Sequence, residues 1–251
     1  MFNPLEQFEV VLYKPISLFW IFDISITNIF LYLVVIVVLV TLIFVFGLSN
    51  LNIVQMVLWQ RLLEVLYIFV RAIVINQSGP RGMEFFSLLF TIFNFVFFSN
   101  LIGLSPLGFT ITGQIAVTFM LAFSINLGMF ILALSRTGIK YFKLFAPSEA
   151  PKAFLPLIVV IEVISYLLRS FSLSIRLFAN MMAGHTLLFI LSGFVLSFIN
   201  SVFFVLAILP IVLVIAVICL EVGIAFLQAY VFTVLVAIYF NDALNFDGGA
   251  H

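Results

Sequence analysis

Between Glu84 and Arg136 the chain runs fifty-one residues without a charged side chain. A membrane crossing needs about 20 such residues. Two crossings and a turn fit this interval, whereas a soluble domain has nowhere to bury it. The rest of the chain agrees: 65% of residues are hydrophobic and 8% are charged, against about 25% charged in soluble domains. The reading is an all-α integral membrane protein.

Charge and cysteine usage narrow the partners. Ten basic and ten acidic residues cancel, with none of the clustered basic excess that a nucleic-acid partner requires. One cysteine, Cys219, leaves no internal disulfide. Lys14 is the only basic residue of the first sixty and follows Glu6 and Glu9, so neither a secretory leader nor an arginine-rich transit peptide is expected.

Residues 29–46 are almost unbroken apolar sequence and predict the first span. Over 51–75, Gln60, Arg61, Glu64 and Arg71 recur on one side, predicting a helix along the membrane surface. Residues 85–135 predict a helical hairpin, its turn marked by Ser99, Asn100, Gly103, Ser105, Pro106, Gly108, Thr110 and Gly113. A polar loop carrying Arg136, Lys140, Lys143 and Lys152 follows. Two long segments, 153–192 and 201–242, complete a single membrane domain over 1–251. Each approaches 60 Å against a bilayer core of about 30 Å, so both must tilt strongly or break, and Pro210 is expected to kink the second near its start. Most basic residues fall in 47–84 and 136–152. The positive-inside rule then predicts an external N-terminus and an internal C-terminus.

The first long segment carries Glu162, Ser165, Arg169, Ser172, Arg176 and Asn180 at intervals of three or four, on one helix face. A charge at the bilayer centre costs about 2.5–3.5 kcal/mol on insertion scales, so these residues need a reason to be there. The last segment carries Glu221, Gln228 and Asp242 at intervals of seven and fourteen, again on one face. In an antiparallel hairpin, residues at one height have numbers with a constant sum. Glu162 with Asp242 and Arg176 with Gln228 both give 404, and His185 with Glu221 gives 406. The expected layout is an acidic pair toward the inside, arginine and amide at mid-height, and histidine with carboxylate toward the outside. His185 lies nine residues after Arg176 and so points away from the Glu162 stripe.

Histidine and desolvated carboxylates exchange protons near neutral pH, whereas arginine does not deprotonate. Arg176 is thus a barrier to proton hopping that can attract a partner carboxylate and lower its pKa by about 1–3. Plainer readings stand beside this one. Glu162, Arg169 and Arg176 can be salt-bridged or snorkelling residues, His185 a hydrogen-bonded interior residue, Gln228 a packing amide, and Asp242 an exposed terminal carboxylate. Ala179, Ala183 and Gly184 read as close-packing positions.

The run Ser174-Ile175-Arg176-Leu177-Phe178-Ala179-Asn180-Met181-Met182-Ala183-Gly184-His185 closely resembles the arginine motif of subunit a of the rotary F-type ATP synthases. Glu221 followed by Gln228-Ala229-Tyr230-Val231-Phe232 resembles that family's last helix, and Pro4-Leu5-Glu6-Gln7-Phe8-Glu9 is similar to fungal mitochondrial versions. The resemblance implies two long tilted helices against a rotating ring of c subunits, with Arg176 between two offset half-channels. It places Asn180, His185 and Glu221 on the intermembrane-space path and Glu162 and Asp242 on the matrix path. Arg169 and Gln228 would support Arg176. Bacterial members generally exchange the residue types at His185 and Glu221, which favours a mitochondrial inner-membrane origin. The peripheral stalk and other membrane subunits are further implied partners. With no glycine-rich phosphate loop and no metal-ligand cluster in the sequence, no cofactor is implied, and nucleotide chemistry falls to other subunits. A stand-alone ion or solute transporter and a quinone- or haem-bearing respiratory subunit are the competing classes. Protons suit His185 better than sodium, which calls for more neutral oxygen ligands.

Overall fold

The computed structural model describes residues 8–14, 17–18, 22–23, 26–49, 58–104, 110–138, 155–199 and 207–244. Six helices dominate: α1 (Asn28–Ser49), α2 (Leu58–Ser78), α3 (Phe86–Gly103), α4 (Ile115–Thr137), α5 (Leu155–Ile199) and α6 (Ile208–Leu244). Four short strands precede them, β1 (Leu12–Lys14), β2 (Ser17–Leu18), β3 (Phe22–Asp23) and β4 (Ile26–Thr27). β1 pairs with β4 and β2 with β3, both antiparallel, as two separate two-stranded sheets. These strands are too short to leave a periodic signal in the sequence.

Among the described residues, five stretches are long and apolar enough to cross a membrane: Asn28–Val45, Gly82–Gly103, Ile115–Ser135, Pro156–Ile199 and Ile208–Asn241. The chain is an all-α integral membrane protein in its membrane-spanning architecture. α2 is not among the five; its Arg61, Glu64 and Arg71 are exposed while Val70, Ile73 and Val74 are buried. At 45 residues α5 is about 67 Å long, and it extends past the expected end at 192. Pro210, expected to kink α6, instead sits in its first turn. The first four N–H groups of a helix have no intrahelical partner, so proline is tolerated there without a break. Residues 51–57 and 105–109, Lys140, Lys143, Lys152 and the first residues of both long segments lie outside the described residues.

The chain divides into two compact units. One comprises 1–63, 94–114 and 177–229. Within it the start of α1 is capped locally: Ile29 N donates to Asn28 Oδ1 and Phe30 N to Thr27 Oγ1. Phe97 of α3 meets Phe226 of α6 edge to face, with centroids 6.0 Å apart. Ala225 and Ala229 are fully buried, and small residues of this kind let helices approach closely.

The other unit comprises 64–93, 115–176 and 230–251. Here Phe85 stacks on Phe240, Phe69 lies against Phe93 and Tyr230, and the Ser78 hydroxyl donates to the Ala237 carbonyl at 2.7 Å. α4 and α5 pack through Ala133, Val159 and Tyr166 and through the buried Asn126 amide, which donates to Ser170 Oγ at 2.6 Å. Lipid tails are as apolar as these side chains, so shape and hydrogen bonding hold the helices together more than transfer out of water does.

Candidate functional site

Position on α5 and α6 follows from helical spacing. On α5 the buried residues Ser170, Leu173, Ser174, Leu177 and Met181 recur at three or four. Arg176 lies outside that stripe and is exposed, as are Ser165, Ser172, Ala179 and Ala183 beside it. Glu162 and Asn180 are half-buried. On α6 the buried stripe is Glu221, Ala225, Gln228, Ala229, Phe232, Thr233, Val236, Ala237 and Phe240. Glu221 and Gln228 therefore share the buried face of α6, while the polar stripe of α5 is open. The side chains of Arg169 and Asp242 lie outside the described residues.

Glu221 is held against the backbone of α5. A Cβ on Gly184 would coincide with its carboxylate, so glycine is needed there for close approach. The two numbers add to 405, in line with the antiparallel register expected at this level. Beside them is a cavity of about 320 Å³ lined by Asn180, Met181, Gly184, Leu187, Leu220 and Glu221, among others. Asn180 and Glu221 thus reach one space. His185 does not bond Glu221: its Nε2 and both Glu221 oxygens are buried without a hydrogen-bond partner among the described residues. The imidazole faces Phe8 instead, centroids 6.3 Å apart and planes at 83°. Equal height had suggested a direct pair, but the close approach at Gly184 turns the carboxylate onto the α5 backbone.

Three further polar residues join this unit: Ser99 and Asn100 are expected in the hairpin turn, while the sequence carries no expectation for Thr112. Ser99 and Asn100 are buried in the last turns of α3, and Thr112 is buried in the 3-10 turn Ile111–Gly113. Ser99 Oγ, both polar atoms of Asn100, Thr112 Oγ1 and Gln228 Nε2 also lack partners among the described residues. Asn100 is one turn from Phe97, on the face that meets α6. An amide inside an apolar span was the available signal. Burying a polar group without a partner is costly. Asn180, His185, Glu221 and Gln228 thus fall in one unit, and Glu162 and the exposed Arg176 in the other.

These features define a polytopic helical membrane protein that carries ionisable groups within its spans, the type of site that serves ion movement. A family model described as ATP synthase A chain matches residues 29–241. The chain is 45% identical over 243 residues to ATP synthase subunit a of Pelagibacter ubique, covering 97% of this chain and 98% of that one. It is 43% identical to ATP synthase subunit a of Acanthamoeba castellanii, covering 98% of each chain. It is 39% identical to that of Marchantia polymorpha, covering 97% of this chain and 98% of that one. The chain belongs to the ATP synthase A chain family.

Proposed function

We propose that this chain is the proton-translocating stator subunit of an F-type ATP synthase, without catalytic activity of its own. Family membership supports the complex, and the exposure of Arg176 carries the mechanism. A guanidinium on an open helix face is positioned to meet an acidic group on a partner, which here is the ring of c subunits. The partner's carboxylate, protonated on one side, reaches Arg176, releases its proton and pairs with the cation. Because arginine keeps its charge, protons cannot pass directly between the two access routes. Proton flow is then coupled to ring rotation.

In this reading Asn180, His185 and Glu221 serve the intermembrane-space route and Glu162 and Asp242 the matrix route. Gln228 and Arg169 support Arg176. The membrane is the mitochondrial inner membrane, with the N-terminus in the intermembrane space and the C-terminus toward the matrix, and the peripheral stalk holds the subunit still. The exchanged residue types at His185 and Glu221 support that location. The driving energy is about 2.3 kcal/mol per charge per 100 mV, plus the pH difference. The test is ATP-driven proton pumping by assembled complexes. Arg176→Ala abolishes it, and Arg176→Lys also fails because an ammonium lacks the planar fork. Normal pumping by Arg176→Ala would overturn the proposal.

A further inference from the structure

Phe8 precedes the first membrane helix by twenty residues, yet its ring is half-buried. Three hydrogen bonds from two residues, Gln114 and Asn28, hold the segment that carries it. The Phe8 carbonyl accepts from Gln114 Nε2 at 2.6 Å. The Asn28 side-chain amide donates to the Glu9 carbonyl at 3.1 Å, and Asn28 N donates to the Val11 carbonyl at 3.2 Å. Asn28 itself is buried. Phe8–Val11 is therefore a strap tied at one end to Gln114, at the close of the 3-10 turn Ile111–Gly113, and at the other to the start of α1.

The ring meets a backbone turn and a side chain of the same unit. On one side is the 3-10 turn Ile111–Gly113, where a Cβ on Gly113 would come within 3.0 Å of Phe8 Cε1. On the other is the imidazole of His185, met edge to face. Such perpendicular aromatic geometry is favoured and orients both rings. The buried Nε2 of His185 and the buried Thr112 hydroxyl belong to the same unit, both without partners among the described residues.

We propose that Phe8 is the positioning residue of His185: its ring fixes the imidazole and closes one side of it, and the strap is a wall of the route by which water reaches His185. The proposal rests on His185 being a proton-access residue, but its structural half can be read without transport. In assembled complexes, His185 is carbethoxylated with diethyl pyrocarbonate and its rate followed by peptide mass spectrometry. The wild-type residue reacts more slowly than a free peptide of the same local sequence. Phe8→Ala raises its rate about two- to tenfold, the factor corresponding to loss of one edge-to-face aromatic pair. Gln114→Leu, which frees the strap without altering the ring, raises it in the same direction, and Phe8→Tyr restores protection. An unchanged rate in Phe8→Ala and Gln114→Leu, or wild-type labelling as fast as the free peptide, overturns the proposal. If Phe8→Ala fails to assemble, Gln114→Leu and the wild-type rate decide. Pumping by His185→Gln separately tests the underlying reading: normal pumping there removes the transport role while leaving the cover in place.

Discussion

Gly184→Ala places a methyl group where the Glu221 carboxylate now sits. The new Cβ would lie 2.8 Å from Cδ and 3.1 Å from Cγ of Glu221 and overlap one oxygen. Ordinary carbon contacts are about 3.5–4.0 Å, so the whole head group has to move. Forcing an extra methylene into a packed site costs about 1–3 kcal/mol. At about 1.4 kcal/mol per tenfold, a cost borne by the transport step slows ATP-driven acidification of inverted membrane vesicles by about fivefold to a hundredfold. Rates are normalised to the amount of assembled subunit, so that lost assembly is not read as lost transport. Glu221→Asp shortens the side chain by one methylene, and the double variant recovers part of the loss, with a coupling energy of about 0.5–3 kcal/mol. Gly128→Ala is the control, since a Cβ there meets nothing within 4 Å. Wild-type pumping by Gly184→Ala, or strict additivity in the double variant, refutes the idea that the seat of Glu221 matters.

Asn100→Leu exchanges a fully buried amide for an apolar side chain of similar size; complex assembly and thermal stability hold or improve, because an unpaired polar group is removed, while pumping slows if the amide serves proton access. Equal pumping in that variant assigns Asn100 to packing alone. Ser78→Ala loses the hydroxyl bond to the Ala237 carbonyl and lowers the thermal stability of the complex by about 1 kcal/mol, with coupled pumping unchanged, as measured on detergent-solubilised complexes. Asn126→Leu leaves Ser170 without its 2.6 Å donor and destabilises by about 1–3 kcal/mol; the double change with Ser170→Ala recovers most of it.

Much of this arrangement was legible in the sequence because bilayer thickness and helix rise fix span length. The first span, expected at 29–46, is α1 over Asn28–Ser49, and the two long segments are α5 and α6. Register between antiparallel helices was also legible at the level of Glu221, since it depends only on position numbers. Orientation about the helix axis was less so. His185 and Glu221 share a height without bonding, because a glycine next to the histidine admits the carboxylate to the backbone. Phe8 was illegible for a different reason: its ring meets His185 from a distant segment of the chain, and no periodicity records such a meeting. Pro210 was misread because proline carries opposite meanings in the first turn and the interior of a helix.

The energetics of α5 argue for a second subunit independently of any likeness to known proteins. Its inner stripe is filled by its own chain, but Arg176 and the small residues Ala179 and Ala183 are exposed. Left against lipid, the guanidinium would cost about 2.5–3.5 kcal/mol on insertion scales and more in simulations. Small residues on a membrane helix mark a place where another helix comes close, because they let backbones approach. A cation beside such a surface calls for a partner helix bearing a carboxylate at the same height. Fixed permanently, that ion pair would hold the partner still. A partner that moves must therefore shed the pairing by taking up a proton.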